Sequence, residues 1–231
     1  MNFFPITSVN NFFSDPDELV KYSKKLDYKT NINKTDGSWP GVRSDNLYNI
    51  DKELFNKTIL SILSLYYEDM RGLEFSNTYI FIHKSKAFSK SKDDIRNKGW
   101  IHRDAGALGG IIYLNKNSLP ESGTSLYTLK KEPVRNKTCI KIKEDLYLRG
   151  KYNEKIYTQK YNYLRNQFVK THTFKNVYNT LAAFDGSQWH AADNLWTKPG
   201  EDRLTMVFFI NKLKVKSTPR TRLDRVQQSV I

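Results

Sequence analysis

The sequence predicts a mainly β fold with flanking helices, a sandwich or open barrel carrying its helices on the outside. Two observations predict it. Helical spacing occupies the first third of the chain, and from Leu73 onward the apolar residues fall into short strand-like runs that recur as far as Ile210. At 231 residues the chain suits one domain with a sizeable core. The expected layout is a helical support at 1–72, a β core at 73–211 with a basic insertion at 130–170, and a tail at 212–231.

The first helix starts at Pro16. Asp15 caps it, Pro16 suits the first turn and Glu18 completes a capping box, with Leu19, Tyr22 and Leu26 on one face. Tyr28 to Asn49 reads as a polar loop. A second helix follows Asp51, its face made by Leu54, Thr58, Ile59, Ile62, Leu63 and Tyr66, and Arg71-Gly72 is the expected stop. Strands are expected at Tyr79–His83, Gly109–Asn115, Thr124–Leu129, Val177–Phe184 and Arg203–Ile210. Between the third and fourth, Lys130 to Lys170 is basic and tyrosine-rich. Tyr152, Ile156, Tyr163, Leu164 and Phe168 there could line one side of a helical insertion. The tail from Lys214 is expected to be partly disordered.

Lys and Arg number 38 against 24 acidic residues, a net charge of +14. That admits nucleic acid or an acidic partner without requiring either. A single cysteine, Cys139, excludes an intramolecular disulfide and a cysteine-ligated zinc site. No signal peptide or bilayer-spanning run is apparent, so no membrane association is expected and the cytoplasm is the expected compartment.

The chemistry concentrates in Gly99-Trp100-Ile101-His102-Arg103-Asp104. His102 and Asp104 lie one apart in an extended segment, so their side chains share a face while Arg103 turns away. Of the remaining histidines, His190 sits in the most suggestive context, Phe184-Asp185-Gly186-Ser187-Gln188-Trp189-His190. Two imidazoles and a carboxylate make a facial triad that leaves coordination positions open and suits non-haem Fe(II). Arg203 and Thr205, one alternation apart in the last strand, point the same way. A buried Arg needs a partner, and a dicarboxylate held on the metal by its other end would supply one. The rival readings are plain: His102 as a surface histidine, Asp104 as a turn cap, His190 as a core histidine, Arg203 as an exposed strand-end charge. His83 and His172 read as structural or surface residues.

On H-x-D, a distant His and a following Arg, residues 73 to 211 resemble the Fe(II)- and 2-oxoglutarate-dependent dioxygenases, whose core is a double-stranded β-helix of the jelly-roll or cupin kind. Ile111-Ile112-Tyr113-Leu114-Asn115 resembles the strand after H-x-D in prolyl hydroxylases. Asn176-Val177-Tyr178-Asn179 before Phe184-Asp185-Gly186 looks like a branch found in bacteria and tailed phages, which would make the compartment that of the host cell. The resemblance implies that His102, Asp104 and His190 hold Fe(II). Arg203, assisted by Thr205 and Tyr113, would bind the far carboxylate of 2-oxoglutarate, and O₂ would complete the site. With Asp104 intact, hydroxylation or demethylation is favoured over halogenation. The substrate expected is a peptide, amino acid or small molecule. Nucleic acid, or a catalytically silent barrel that binds it, is the alternative drawn from the basic charge.

Overall fold

The computed structural model describes residues 4–30, 38–130, 137–198, 200–216 and 219. Two antiparallel sheets carry the molecule. The larger has six strands: β1 (Thr7–Val9), β2 (Val42–Arg43), β3 (Glu74–Ser85), β4 (Leu108–Tyr113), β7 (Thr180–Asp185) and β9 (Arg203–Lys214), in the order β1-β7-β4-β9-β3-β2. The smaller has three, ordered β6-β5-β8: β5 (Thr124–Leu129), β6 (Phe168–Phe174) and β8 (Trp189–Ala192).

Alternation along the six-stranded sheet creates two environments. Ile80, Ile82, Ile112, Leu181, Met206 and Phe208 point to one face, where helices cover them. Those helices are α1 (Pro16–Ser23), α2 (Leu47–Ile50) and α3 (Lys52–Leu63). They contribute Leu19, Leu47, Phe55, Ile59 and Ile62, all buried. Each such aliphatic side chain is worth roughly 1.5–3 kcal/mol when fully buried. The opposite face, with Tyr113, Ala182 and Phe184, meets Leu126 and Phe174 of the smaller sheet. A cavity opens between the sheets at this face.

Helix α1 begins where expected, with the Asp15 carboxylate accepting from the Glu18 N–H at 3.1 Å. Asp51 caps α3 in the same manner through Leu54 N–H at 2.9 Å. Three expectations need correction. Helix α3 ends at Leu63, not near Arg71-Gly72. Leu65 and Tyr66 N–H groups donate to carbonyls three residues back, and both Tyr66 and Tyr67 turn edge-on to Phe4. The described part of the Tyr28–Asn49 loop contains β2, which pairs with β3 through Val42↔Lys84 and Arg43↔His83, and the start of α2. The insertion ends before Lys170, because Phe168 already begins β6. That strand is an outer edge with a polar, exposed middle, so it shows no apolar alternation to read.

The insertion holds α4 (Lys137–Arg149) and α5 (Glu154–Arg165). Its buried tyrosines are Tyr157 and Tyr161, while Ile156 and Tyr163 are exposed, so the buried face differs from the expected one. Trp100 explains the choice. A buried indole N–H needs an acceptor, and Trp100 donates to the Tyr157 hydroxyl at 2.8 Å with both tyrosine rings edge-on to it. Arg165 then ties α5 to β5 by donating to the Tyr161 and Tyr127 hydroxyls, each at 2.9 Å. Tyrosines packed this way serve the helix–barrel contact, so Tyr157 and Tyr161 are not free to stack on nucleic-acid bases. Beyond Lys216 the expected tail lies outside the described residues, Pro219 excepted. Among the described residues no helix is long and apolar enough to cross a membrane.

Candidate metal centre

Backbone pairing brings the two halves of the site together. The His102 and His190 segments form an isolated antiparallel bridge in which each residue's N–H donates to the other's carbonyl, at 3.0 and 2.9 Å. Asp104 is fixed by its own N–H, which donates to the Gly186 carbonyl at 3.2 Å. Gly99 opens this approach, since a Cβ there would lie 2.6 Å from the Ala192 carbonyl oxygen.

The three side chains converge as the H-x-D spacing predicts. One ligand atom from each of His102, Asp104 and His190 lies within 4.8 Å of the other two. The Asp104 carboxylate stands 3.3 Å from His190 Nε2 and 3.7 Å from His102 Nε2. Both imidazoles present the same tautomer to the centre. His102 Nδ1 lies 2.9 Å from the Trp100 carbonyl and His190 Nδ1 2.9 Å from the Gln188 carbonyl. A carbonyl only accepts, so each Nδ1 carries a proton and each Nε2 is the nitrogen turned toward the centre. A His-Asp-His facial triad consistent with Fe(II) binding is present.

Electrostatics split the two imidazoles: against the effect of burial, Asp104 raises His190, so a bound cation would displace a proton shared between them. Burial lowers the His102 imidazole, and His190 and Lys143 lower it further against the pull of Asp104. Burial also opposes charge on Asp104, but the two imidazoles and Arg43 outweigh it and hold the carboxyl well below the usual carboxylate range. The carboxylate is therefore ionised and the His102 nitrogen deprotonated, as a metal requires. Arg103 points away, its guanidinium 4.7 Å from the Trp189 ring centroid.

A cavity of about 120 Å³, its mouth open to solvent, contains this cluster and is lined also by Arg203, Thr124, His83 and Phe184. Arg203 is 3% exposed. Its Nε donates to the Ser122 carbonyl at 2.9 Å, but Nη2 has no partner among the described residues. Strand pairing sets Thr205 opposite both His83 and Tyr113. Thr205 and Tyr113 are fully buried, and the Tyr113 ring centre lies 5.6 Å from the Arg203 guanidinium carbon. Among the described residues the Thr205 hydroxyl likewise has no partner, and the Tyr113 and Thr124 hydroxyls have at most each other; of the three only Thr124 lines the cavity itself. Orphaned buried polar groups are rare and costly. Here the groups are three hydroxyls and one N–H of a cation, a set that suits a carboxylate. Burial pushes the Tyr113 phenol up to about 12, so it stays a donor.

Several cavity residues were not legible as site residues. His83, read as structural or surface, is buried in the wall with its Nε2 2.7 Å from the Pro40 carbonyl. Burial, Arg43 and Arg203 together hold it well below its ordinary value. The polar loop is different: its Trp39, Arg43 and Asp45 are legible in the sequence as residues that could face a substrate, and Trp39 and Arg43 do line the cavity, with the Arg43 guanidinium 3.9 Å from the Trp39 ring centre. Asp45 pairs instead with Lys29 at 2.9 Å. Lys143 and Tyr147 of α4 also reach the wall. Their signal is in the sequence: Cys139, Ile142, Lys143, Leu146 and Tyr147 fall on one helical stripe, interrupted by one charge.

No known family profile and no curated protein matches the sequence. Solved structures do match. The non-heme alpha-ketoglutarate-dependent epimerase SnoN from nogalamycin biosynthesis aligns at 16% identity over 95% of this chain and 84% of its own, with a TM-score of 0.50. The same epimerase in complex with Fe3+, alpha-ketoglutarate and nogalamycin RO aligns at 14% identity over 92% and 81%, again at 0.50. A prolyl hydroxylase from Trichoplax adhaerens, in complex with a hypoxia-inducible-factor peptide fragment, aligns at 12% identity over 91% and 84%, at 0.49. Identities this low speak to fold alone: the chain shares the double-stranded β-helix architecture of the SnoN epimerase structures.

Proposed function

We propose that this protein is a non-haem Fe(II)- and 2-oxoglutarate-dependent oxygenase that hydroxylates a small molecule, amino acid or peptide. One observation carries the reading. The cavity that holds the inward-facing triad also holds a buried guanidinium with an unpartnered N–H, so metal donors and a carboxylate receptor share one chamber.

His102, Asp104 and His190 would hold Fe(II). Arg203 would take the far carboxylate of 2-oxoglutarate, with Thr205 and Tyr113 donating to it and Thr124 beside them. Bound there, iron and 2-oxoglutarate would supply the oxidising power for hydroxylating a substrate C–H with O₂, leaving succinate and CO₂ as co-products. The protein's own part is to orient and exclude. The Trp100 and Gln188 carbonyls fix the imidazole tautomers, and Ser122 and Tyr113 flank Arg203. An intact Asp104 occupies the position that a halide would need, which favours hydroxylation.

Anaerobic Fe(II) and 2-oxoglutarate added to the purified protein should bind cooperatively, with a charge-transfer band, and air should then release succinate. His190→Ala should abolish iron retention. Unchanged iron content in that variant would overturn the ligand assignment. Absence of both metal-dependent 2-oxoglutarate binding and succinate would favour a silent barrel. Stimulation of succinate release by oligonucleotides but not by peptide or amino-acid pools would favour a nucleic-acid substrate.

A further inference from the structure

Lys143 occupies the cavity wall, yet the iron and 2-oxoglutarate assignment gives it no role. It sits on the α4 stripe with Cys139, Ile142, Leu146 and Tyr147, at a position where the other residues are apolar. A cation in that place needs an anion nearby. Among the described residues its ammonium makes no hydrogen bond or ion pair, and the Tyr147 ring centre is 5.8 Å away. Burial lowers it to about 8, against the pull of Asp104 and Glu144, so it is still largely charged at neutral pH.

Counting charges shows what is missing. Among the described residues Asp104 is the sole carboxylate lining the cavity, and as a ligand its charge would be shared with the metal. On the proposed function, a doubly charged iron balances a doubly charged 2-oxoglutarate, and Asp104 balances Arg203. Two cationic side chains are left over, Lys143 and Arg43. Arg43 is stacked on Trp39 and takes part in a further interaction, which leaves Lys143 as the cation without an ion pair or hydrogen bond among the described residues. The apolar walls beside these cations are Trp39, Tyr147, Phe209 and Leu195. Phe88 stacks on Tyr147 at 5.5 Å, which stiffens that wall.

Resting on the proposed function, we propose that the substrate is a small anion, carrying a carboxylate or phosphate that pairs with Lys143 while its apolar body lies against Trp39, Tyr147 and Phe209. Lys143 is then a specificity-determining residue supplied by the insertion and not by the barrel. The same charge excludes cationic substrates, because two ammonium groups would share a partly desolvated space.

The test uses the full chain loaded with Mn(II) and 2-oxoglutarate under argon, so that proton relaxation reports entry near the metal. Two matched pairs serve as probes: N-acetyl-L-phenylalanine with its amide, and thymidine 5′-monophosphate with thymidine. The acid of at least one pair should bind tenfold or more tightly than its neutral partner, and which pair does so separates carboxylate from phosphate. Lys143→Met should bring the two members within twofold, Lys143→Arg should keep the preference, and Lys155→Met on the exposed side of α5 should not alter it. A neutral partner that binds as well as its acid in both pairs, or no binding by either pair, overturns the proposal. So does a tenfold loss of 2-oxoglutarate affinity in Lys143→Met, which would make Lys143 a co-substrate anchor. Mn(II)-dependent 2-oxoglutarate binding, measured first, separates these failures from failure of the iron reading itself.

Discussion

Replacing Arg203 with Met removes the charge at the base of the cavity while keeping much of its volume. In the ligand-free protein this guanidinium is 3% exposed and satisfied only at Nε. Burial accordingly lowers its proton affinity. Deleting a buried cation that lacks a counter-ion relieves desolvation, whereas the lost bond to Ser122 costs about 1 kcal/mol. The stability of ligand-free Arg203→Met should therefore stay within about 2 kcal/mol of the parent. Ligand response should change far more. At a concentration of 100 times Kd, 2-oxoglutarate stabilises the parent by about 2.7 kcal/mol. For a chain of this size that is roughly 5–11 °C in Tm. A charge-assisted hydrogen bond is worth about 1.5–3 kcal/mol, or roughly 10- to 160-fold in affinity. At the same concentration the variant should retain only about 0.3–1.3 kcal/mol, a shift of about 1–5 °C. Thermal unfolding with Mn(II), with and without 2-oxoglutarate, reads both quantities. A variant that keeps the full ligand shift would refute the carboxylate-receptor assignment, and one that fails to fold would show that Arg203 is a structural ion.

Two further outcomes follow from packing and charge. Gly110→Ala should lower stability by about 1–3 kcal/mol or more, because its Cβ would stand 2.2 Å from the Ala182 carbonyl oxygen and 2.6 Å from the Phe208 ring; an unchanged melting temperature would show that β4 and β7 separate freely. The Arg96 guanidinium beside Asp94 holds its carboxyl at about 2, below the unfolded value. A depressed acid stabilises the fold above its unfolded pKa and loses that contribution as pH falls through the folded one. The stability difference between the parent and Asp94→Asn should thus be full above pH ~4 and vanish towards pH ~2; a pH-independent difference would remove the ion pair from the account.

Local rules reached some elements and not others. The caps at Asp15 and Asp51, strand β5 and the shared face of His102 and Asp104 follow from side-chain chemistry and a period of two, and all are present. The true end of α3 depends on Phe4, some sixty residues away in sequence, so no local signal marks it. Strand β6 is exposed between its ends and carries polar residues, which erases the alternation that reveals buried strands. In the site, a metal triad announces itself by residue type. Lys143 does not, because one lysine among many basic residues becomes meaningful only when its neighbours on the helix are seen to be buried.

The placement of the insertion has an evolutionary and practical consequence. Helices α4 and α5 leave the barrel at Leu129 and return at Phe168, residues that face each other across β5 and β6. The two strands therefore form a hairpin whose loop has been enlarged, and a two-residue turn could close it. A shortened chain would keep the triad and Arg203 but lose Lys143, Tyr147 and the cover over Trp100. On the proposed function, the metal donors and the residue that would select the substrate thus sit in different parts of the gene. An exchanged loop could bring a new compound, provided that it again covers Trp100, whose carbonyl holds the His102 imidazole.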